Sequence, residues 1–185
     1  MLIEQTQAEL NAAQVIQSGC TLMRVVLAKS SVEAFGTEEQ FPGPLKLKFT
    51  HEATSALNGQ VLTVMAHFDF KSFVASDDIV PVFDLACTFQ LAYELQENCK
   101  PTPQQVDAFK KGNAVYNCWP YVREFVQNLT ARMGFQPPPL PLLRVKVKNE
   151  SAPNPIDKTT EGEKSSTMQV GVNADSNVPT LPSSQ

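Results

Sequence analysis

From Phe83 to Leu95 every second residue is apolar: Phe83, Leu85, Cys87, Phe89, Leu91, Tyr93 and Leu95, with Asp84, Ala86, Thr88, Gln90, Ala92 and Glu94 between them. A period of two is the signature of a strand, and a helix would scatter those side chains around its whole circumference. A strand this long with one apolar face must lay that face against a core. The same alternation occurs twice upstream. Leu62, Val64, Ala66, Phe68 and Phe70 alternate with polar Thr63, His67, Asp69 and Lys71, and Leu45, Leu47 and Phe49 alternate with Lys46, Lys48 and Thr50. Asn58-Gly59 lies between these two runs and is a strong two-residue hairpin signal. Leu22, Val25, Val26 and Leu27 supply β-branched and apolar bulk for a further strand over Cys20–Ala28. Lys29–Pro44 is polar, ends in Phe41-Pro42-Gly43-Pro44 and reads as a loop; Asp77-Asp78 reads as a turn. Four strands with short links predict an antiparallel meander with one apolar face.

Helices must cover that face. Thr102-Pro103 with Gln105 predicts a capping-box start with proline in the first turn, and a helix through Val106 and Phe109 to Gly112. A second helix follows, with Trp119, Val122, Val126, Leu129 and Met133 on one stripe and Pro120 marking a first turn or a kink. Gly134 is placed for a left-handed cap, and Pro137, Pro138, Pro139 and Pro141 enforce an extended exit. Leu2, Ile3, Leu10, Ala13 and Ile16 predict a short N-terminal helix. Leu143, Val145 and Val147 predict a short extended segment. The expected fold class is α+β: a four-stranded antiparallel meander with a long helix on one side. The expected organisation is an N-terminal arm over 1–19, a domain over 20–148 and a disordered tail over 149–185, where proline and small polar residues replace aromatics. The Phe-rich face exceeds what these helical turns cover, which predicts an interface, groove or pocket.

The sequence excludes several function classes. Of the net charge of −4, the tail holds −3, and the near-neutral body has no basic stripe for nucleic acid. Cys20, Cys87, Cys99 and Cys118 form no CxxC pair and have no His at ligand spacing, so they read as packed thiols of a reducing compartment. The first residues lack the cationic region of a signal peptide, and no apolar run reaches membrane-spanning length. Only His51 and His67 are available as neutral-pH bases; phosphate loop, nucleophile elbow and zinc-protease motif are all missing. The expectation is a protein that is not an enzyme and needs no cofactor or metal.

The order Trp119-Pro120-Tyr121-Val122-Arg123-Glu124, then Arg132-Met133-Gly134-Phe135 and a proline run, resembles the signature helix of the SecB family of bacterial export chaperones. The preceding four-strand meander has the matching order, so the resemblance covers about Cys20 to Leu143. It implies an α+β subunit assembled as a dimer of dimers, holding unfolded chains in hydrophobic grooves without ATP in the bacterial cytoplasm. Carried over by position, it implies a client groove at Leu47, Phe49, Phe68 and Phe70. It also implies docking of the translocase motor ATPase at Glu33 and Asp84, and structural roles for Trp119, Pro120, Tyr121, Arg123, Glu124, Arg132 and Gly134.

Three departures mark this chain. Lys29 stands where the family's acidic patch has an acid. Leu142-Leu143-Arg144-Val145-Lys146-Val147-Lys148 replaces the family's Asn-Phe and C-terminal helix. The strong negative charge of the export members is missing from the body. The sequence thus looks closer to the divergent SecB-like chaperones, some of which serve toxin-antitoxin systems by holding an antitoxin. Unfolded preproteins or an antitoxin-like client are the expected partners. Two other readings stay open: a ligand-binding or thioesterase-like α+β domain, and an interaction protein that kept the fold without clients.

Overall fold

The computed structural model describes residues 2–41, 43–74 and 77–148. The chain forms β1 (Leu2–Thr6), α1 (Gln7–Ser18), β2 (Cys20–Ala34), β3 (Leu45–Asn58), β4 (Val61–Val74), β5 (Asp77–Leu95), α2 (Pro103–Phe109), a π-helical turn (Lys110–Ala114), α3 (Val115–Arg132) and β6 (Arg144–Lys148). The main sheet has the order β2-β5-β4-β3 and is antiparallel throughout; β1 and β6 form a separate parallel pair. The fold is the expected α+β meander with a long helix.

The alternation works as the sequence requires. On β4, Leu62, Val64, Ala66 and Phe68 are completely buried, and on β5 the predicted apolar column from Phe83 to Leu95 lies entirely in the core. The β3–β4 hairpin turns over Gly59-Gln60, with Asn58 paired to Val61 and Gly59 at φ +60°, where a side chain would be strained. Trp119 on α3 is the hub of the layer above the sheet. Its ring lies 5.6 Å from Phe49 and 6.1 Å from Phe68, and Phe49 stacks on Phe70 at 5.4 Å. Tyr93 meets Phe109 edge-on at 5.1 Å, and Phe89 meets Phe125 in the same way at 6.2 Å. Full burial of an aromatic of this size contributes about 2–3 kcal/mol, so this ring cluster is a large part of the fold's stability.

Several boundaries differ from the sequence reading. The N-terminal helix starts at Gln7, not Leu2: Thr6 and Glu9 close a capping box there, and Leu2–Thr6 is instead a strand on β6. β2 does not stop at Ala28 but runs on through the polar Lys29–Glu33, because the long β5 offers it a ladder to Ala34. Asp77-Asp78 is not a turn: both residues lie in β5, and Asp77 pairs with Val74. The two predicted helices after Thr102 are joined. The Thr102/Gln105 capping box and Pro103 start α2 as expected, but Gly112 does not end it. A π-helical turn leaves a carbonyl without its usual intrahelical partner. Here the buried Gln5 side chain donates to the Ala108 carbonyl at 3.1 Å. A Cβ on Gly112 would overlap the Gln5 amide, so glycine is what admits it.

At the other end of α3 the cap is as predicted. Gly134 has φ +82°, its N–H donates to Ala131, and the Phe135 N–H donates to Thr130. These two bonds complete the left-handed cap that ends a helix with glycine. Pro120 sits inside α3 on its exposed side. The expected tail from Asn149 onward lies outside the described residues.

Candidate client groove

Strand β3 is an edge of the main sheet, and its outer edge has no strand partner among the described residues. Its helix-side residues are Leu45, Leu47, Phe49, His51, Ala53, Ser55 and Leu57, since they pair with the inward-facing column of β4. Paired residues share a face. This wall is only half covered. Leu45, Leu47, Phe49 and Ala53 are half-buried, and Leu57 is 42% exposed.

Opposite the wall stand the helices and the proline-rich exit. The Trp119 indole N–H donates to the Pro141 carbonyl at 3.0 Å, which ties the extended segment after α3 back over the hub. Leu140 and Leu143 on that segment are buried. A cleft of about 110 Å³ lies at one end of β3 between Phe41, Pro44, Leu45 and Phe135–Pro139. A second, of about 320 Å³, lies at the hairpin end between Ser55, Leu57, Pro101, Pro103 and Val106, with Asp107 and Lys110 at its rim. Asp107 pairs with Lys110 at 2.9 Å and Lys111 at 2.5 Å, and hydrogen bonds from both ammonium groups hold its carboxyl below the usual range. The result is an apolar wall between two clefts, beside an open strand edge.

The structure sorts the sequence-predicted groove residues. Leu47 and Phe49 reach the surface of this wall. Phe68 is 0% and Phe70 1% exposed, sealed beneath Phe49 and Trp119, so they form the layer under the groove and offer no surface to a client in this state. Trp119, 3% exposed, lies with them in the buried layer, in ring contact with Phe49. Val106 and Leu57, which the sequence does not single out, line the hairpin-end cleft, and Leu57 continues the period of Leu45, Leu47 and Phe49. His51 lies mid-wall, exposed at the strand edge, but its ring stacks over Phe68 at 6.0 Å; burial of that ring face pushes its pKa down and favours the neutral imidazole.

Glu33 and Asp84 meet directly across β2 and β5, and Lys71 faces Asp84 from β4. They line a cleft of about 320 Å³ on the face away from the helices, together with Ser31 and Asp69. One Asp84 carboxylate oxygen is buried without a hydrogen-bond partner. The helix signature splits between two environments. Trp119 is in the core, and the Arg123 Nε is buried without a hydrogen-bond partner. Pro120, Tyr121, Glu124, Arg132 and Gly134 are exposed.

One constellation has the look of a catalytic set. Thr88 Oγ1 lies 2.8 Å from His67 Nδ1, and His67 Nε2 lies 3.0 Å from Asp69 Oδ2. A nucleophile of this type also needs donors aimed at a developing oxyanion. Thr88 lies mid-strand on β5, which has a ladder on both sides, so the nearby backbone donors are engaged in the sheet. The arrangement is a polar ladder on the outer face. Two of the thiols are poor nucleophiles: burial pushes Cys87 up to about 12 and Cys118 up as well. Among the described residues no group of three or more His, Cys, Asp or Glu is placed to hold a metal ion. No helix among them is long and apolar enough to cross a membrane.

No protein-family model matches the chain, and no curated protein sequence matches it. Among solved structures it is similar to the SecB-like chaperone Rv1957 of Mycobacterium tuberculosis, in complex with a ChAD peptide from the HigA1 antitoxin. That match has a TM-score of 0.64 at 14% identity and covers 72% of this chain and 97% of the other. A protein of unknown function from Streptococcus agalactiae matches with a TM-score of 0.41 at 14% identity, over 65% of this chain and 94% of its own. The fold of this chain is SecB-like.

Proposed function

We propose that this protein is an ATP-independent holdase chaperone that binds unfolded or aggregation-prone polypeptides along β3. One observation carries the reading: an apolar wall of Leu47 and Phe49 remains half open beside a sheet edge that has no strand partner among the described residues. An extended client can bond its main chain to that edge while apolar side chains enter the flanking clefts. This gives affinity without sequence specificity, which suits unfolded clients. Among the described residues, a strand edge without a strand partner and the lack of a placed acid-base set favour a binder over a catalyst.

An antitoxin-like client is the second reading, because the similar SecB-like chaperone was captured with an antitoxin peptide. Export-destined preproteins are the other client class, and there the Glu33–Asp84 pair would dock the motor ATPase.

Assembly as a homotetramer in the bacterial cytoplasm belongs to the same proposal. β2 is the opposite edge of the sheet, and it exposes Leu22 (38%), Leu27 (43%) and Val32 (43%) on the helix side. Their cross-strand partners Tyr93, Phe89 and Leu85 are buried, so the helical layer stops short of β2. A second copy covering that strip would remove it from water. Light scattering after size exclusion, with and without a reduced unfolded client, tests assembly and client uptake together. The expected masses are a tetramer and a tetramer with bound client. A monomer, or a tetramer whose mass does not change, would count against the proposal.

A further inference from the structure

β6 is the outer strand of the small parallel sheet, and among the described residues its second edge has no strand partner. It reads Arg144-Val145-Lys146-Val147-Lys148. Val145 pairs with Ile3 and Val147 with Gln5, so the valines face the helices where Gln5 is anchored. Their cover is unequal: Ile3 is 5% exposed, whereas Val145 and Val147 are 41% exposed. Beside Val145 opens a cleft of about 230 Å³, with Gln5, Leu10, Gly112, Asn113 and the exposed Tyr116 among its walls. Arg144, Lys146 and Lys148 occupy the opposite face and are exposed.

We propose that the open edge of β6 takes an extended acidic segment of a partner protein by strand addition. Its apolar residues would cover Val145, Val147 and Tyr116, and its alternate carboxylates would meet Arg144, Lys146 and Lys148. Charge selects the occupant. A second copy of β6 would set cations against cations, which blunts self-pairing. The same cations favour a strand that alternates acidic and apolar residues. This edge belongs to a different sheet from β3, and the proposal goes beyond client holding.

The test uses the full chain and a labelled peptide in which Val and Glu alternate over about seven residues, the length of an ordinary strand. Anisotropy should show saturable binding that weakens about tenfold or more in Arg144→Glu/Lys146→Glu, where attraction across the ladder becomes repulsion. The amide resonances of β6 should shift with the same midpoint, and Phe49→Asp should leave the affinity unchanged. If the charge variant fails to fold, a peptide with Gln in place of Glu decides, and it should bind about tenfold or more weakly. Equal binding of the Gln and Glu peptides, loss of binding in Phe49→Asp alone, or a flat titration would overturn the proposal.

Discussion

Phe49 and Phe68 are on neighbouring strands of the same sheet face, yet they answer to different physics. Phe68 is completely buried between Trp119 and Phe70, so truncation leaves a cavity. Phe68→Ala should lower the unfolding free energy by about 3–5 kcal/mol, read from the urea midpoint. Phe49 is half-buried at the groove, so Phe49→Asp should keep the fold and lose client affinity. His51 adds a pH dependence. Its folded pKa lies below the ordinary value of 6.5, so the unfolded chain takes up a proton that the folded chain resists. Stability is therefore full above 6.5 and declines as the pH falls from there through the lowered value. Thermal melts at pH 7.5 and 5.5 should show the decline, and His51→Gln should diminish it. The contrast between the two phenylalanines was not legible in the sequence. Both sit in apolar alternation, and only the position of β4 inside the sheet and β3 at its edge separates them.

Elements with a local cause were legible. The β4 and β5 faces, both capping boxes and the Gly134 cap follow from residues close in sequence. β2 beyond Ala28 was not, because an edge strand that is wet on both faces has no hydrophobic period; Lys29, Ser30 and Ser31 look like loop until β5 supplies their ladder. β1 was hidden for a related reason: its partner β6 lies at the far end of the domain, and no local signal marks such a pairing. The π-helical turn depends on the same long-range contact through Gln5. Gly112→Ala should displace the Gln5 amide and strand it and the Ala108 carbonyl away from water. The helix-propensity gain of about 1 kcal/mol should be outweighed, for a net loss of about 1–2 kcal/mol in chemical denaturation.

At the scale of the molecule, the two edges of the main sheet, β2 and β3, have no strand partner among the described residues, and their surroundings differ. β2 carries an apolar strip beyond the reach of the helices, while β3 carries an apolar wall facing Trp119 and the proline exit. In the proposed function the first serves assembly and the second holds clients. Leu27→Asp should therefore shift the solution mass toward smaller species while leaving the far-ultraviolet dichroism unchanged. Groove and assembly together make the central claim, and client holding tests it most directly. The measurement is light scattering from a chemically denatured client diluted into buffer with the protein at stoichiometric ratio and without ATP. Wild-type protein should suppress the aggregation, and Phe49→Asp, folded and of unchanged mass, should suppress it markedly less. Aggregation that proceeds unchecked beside folded wild-type protein, or equal protection by Phe49→Asp, would contradict the account.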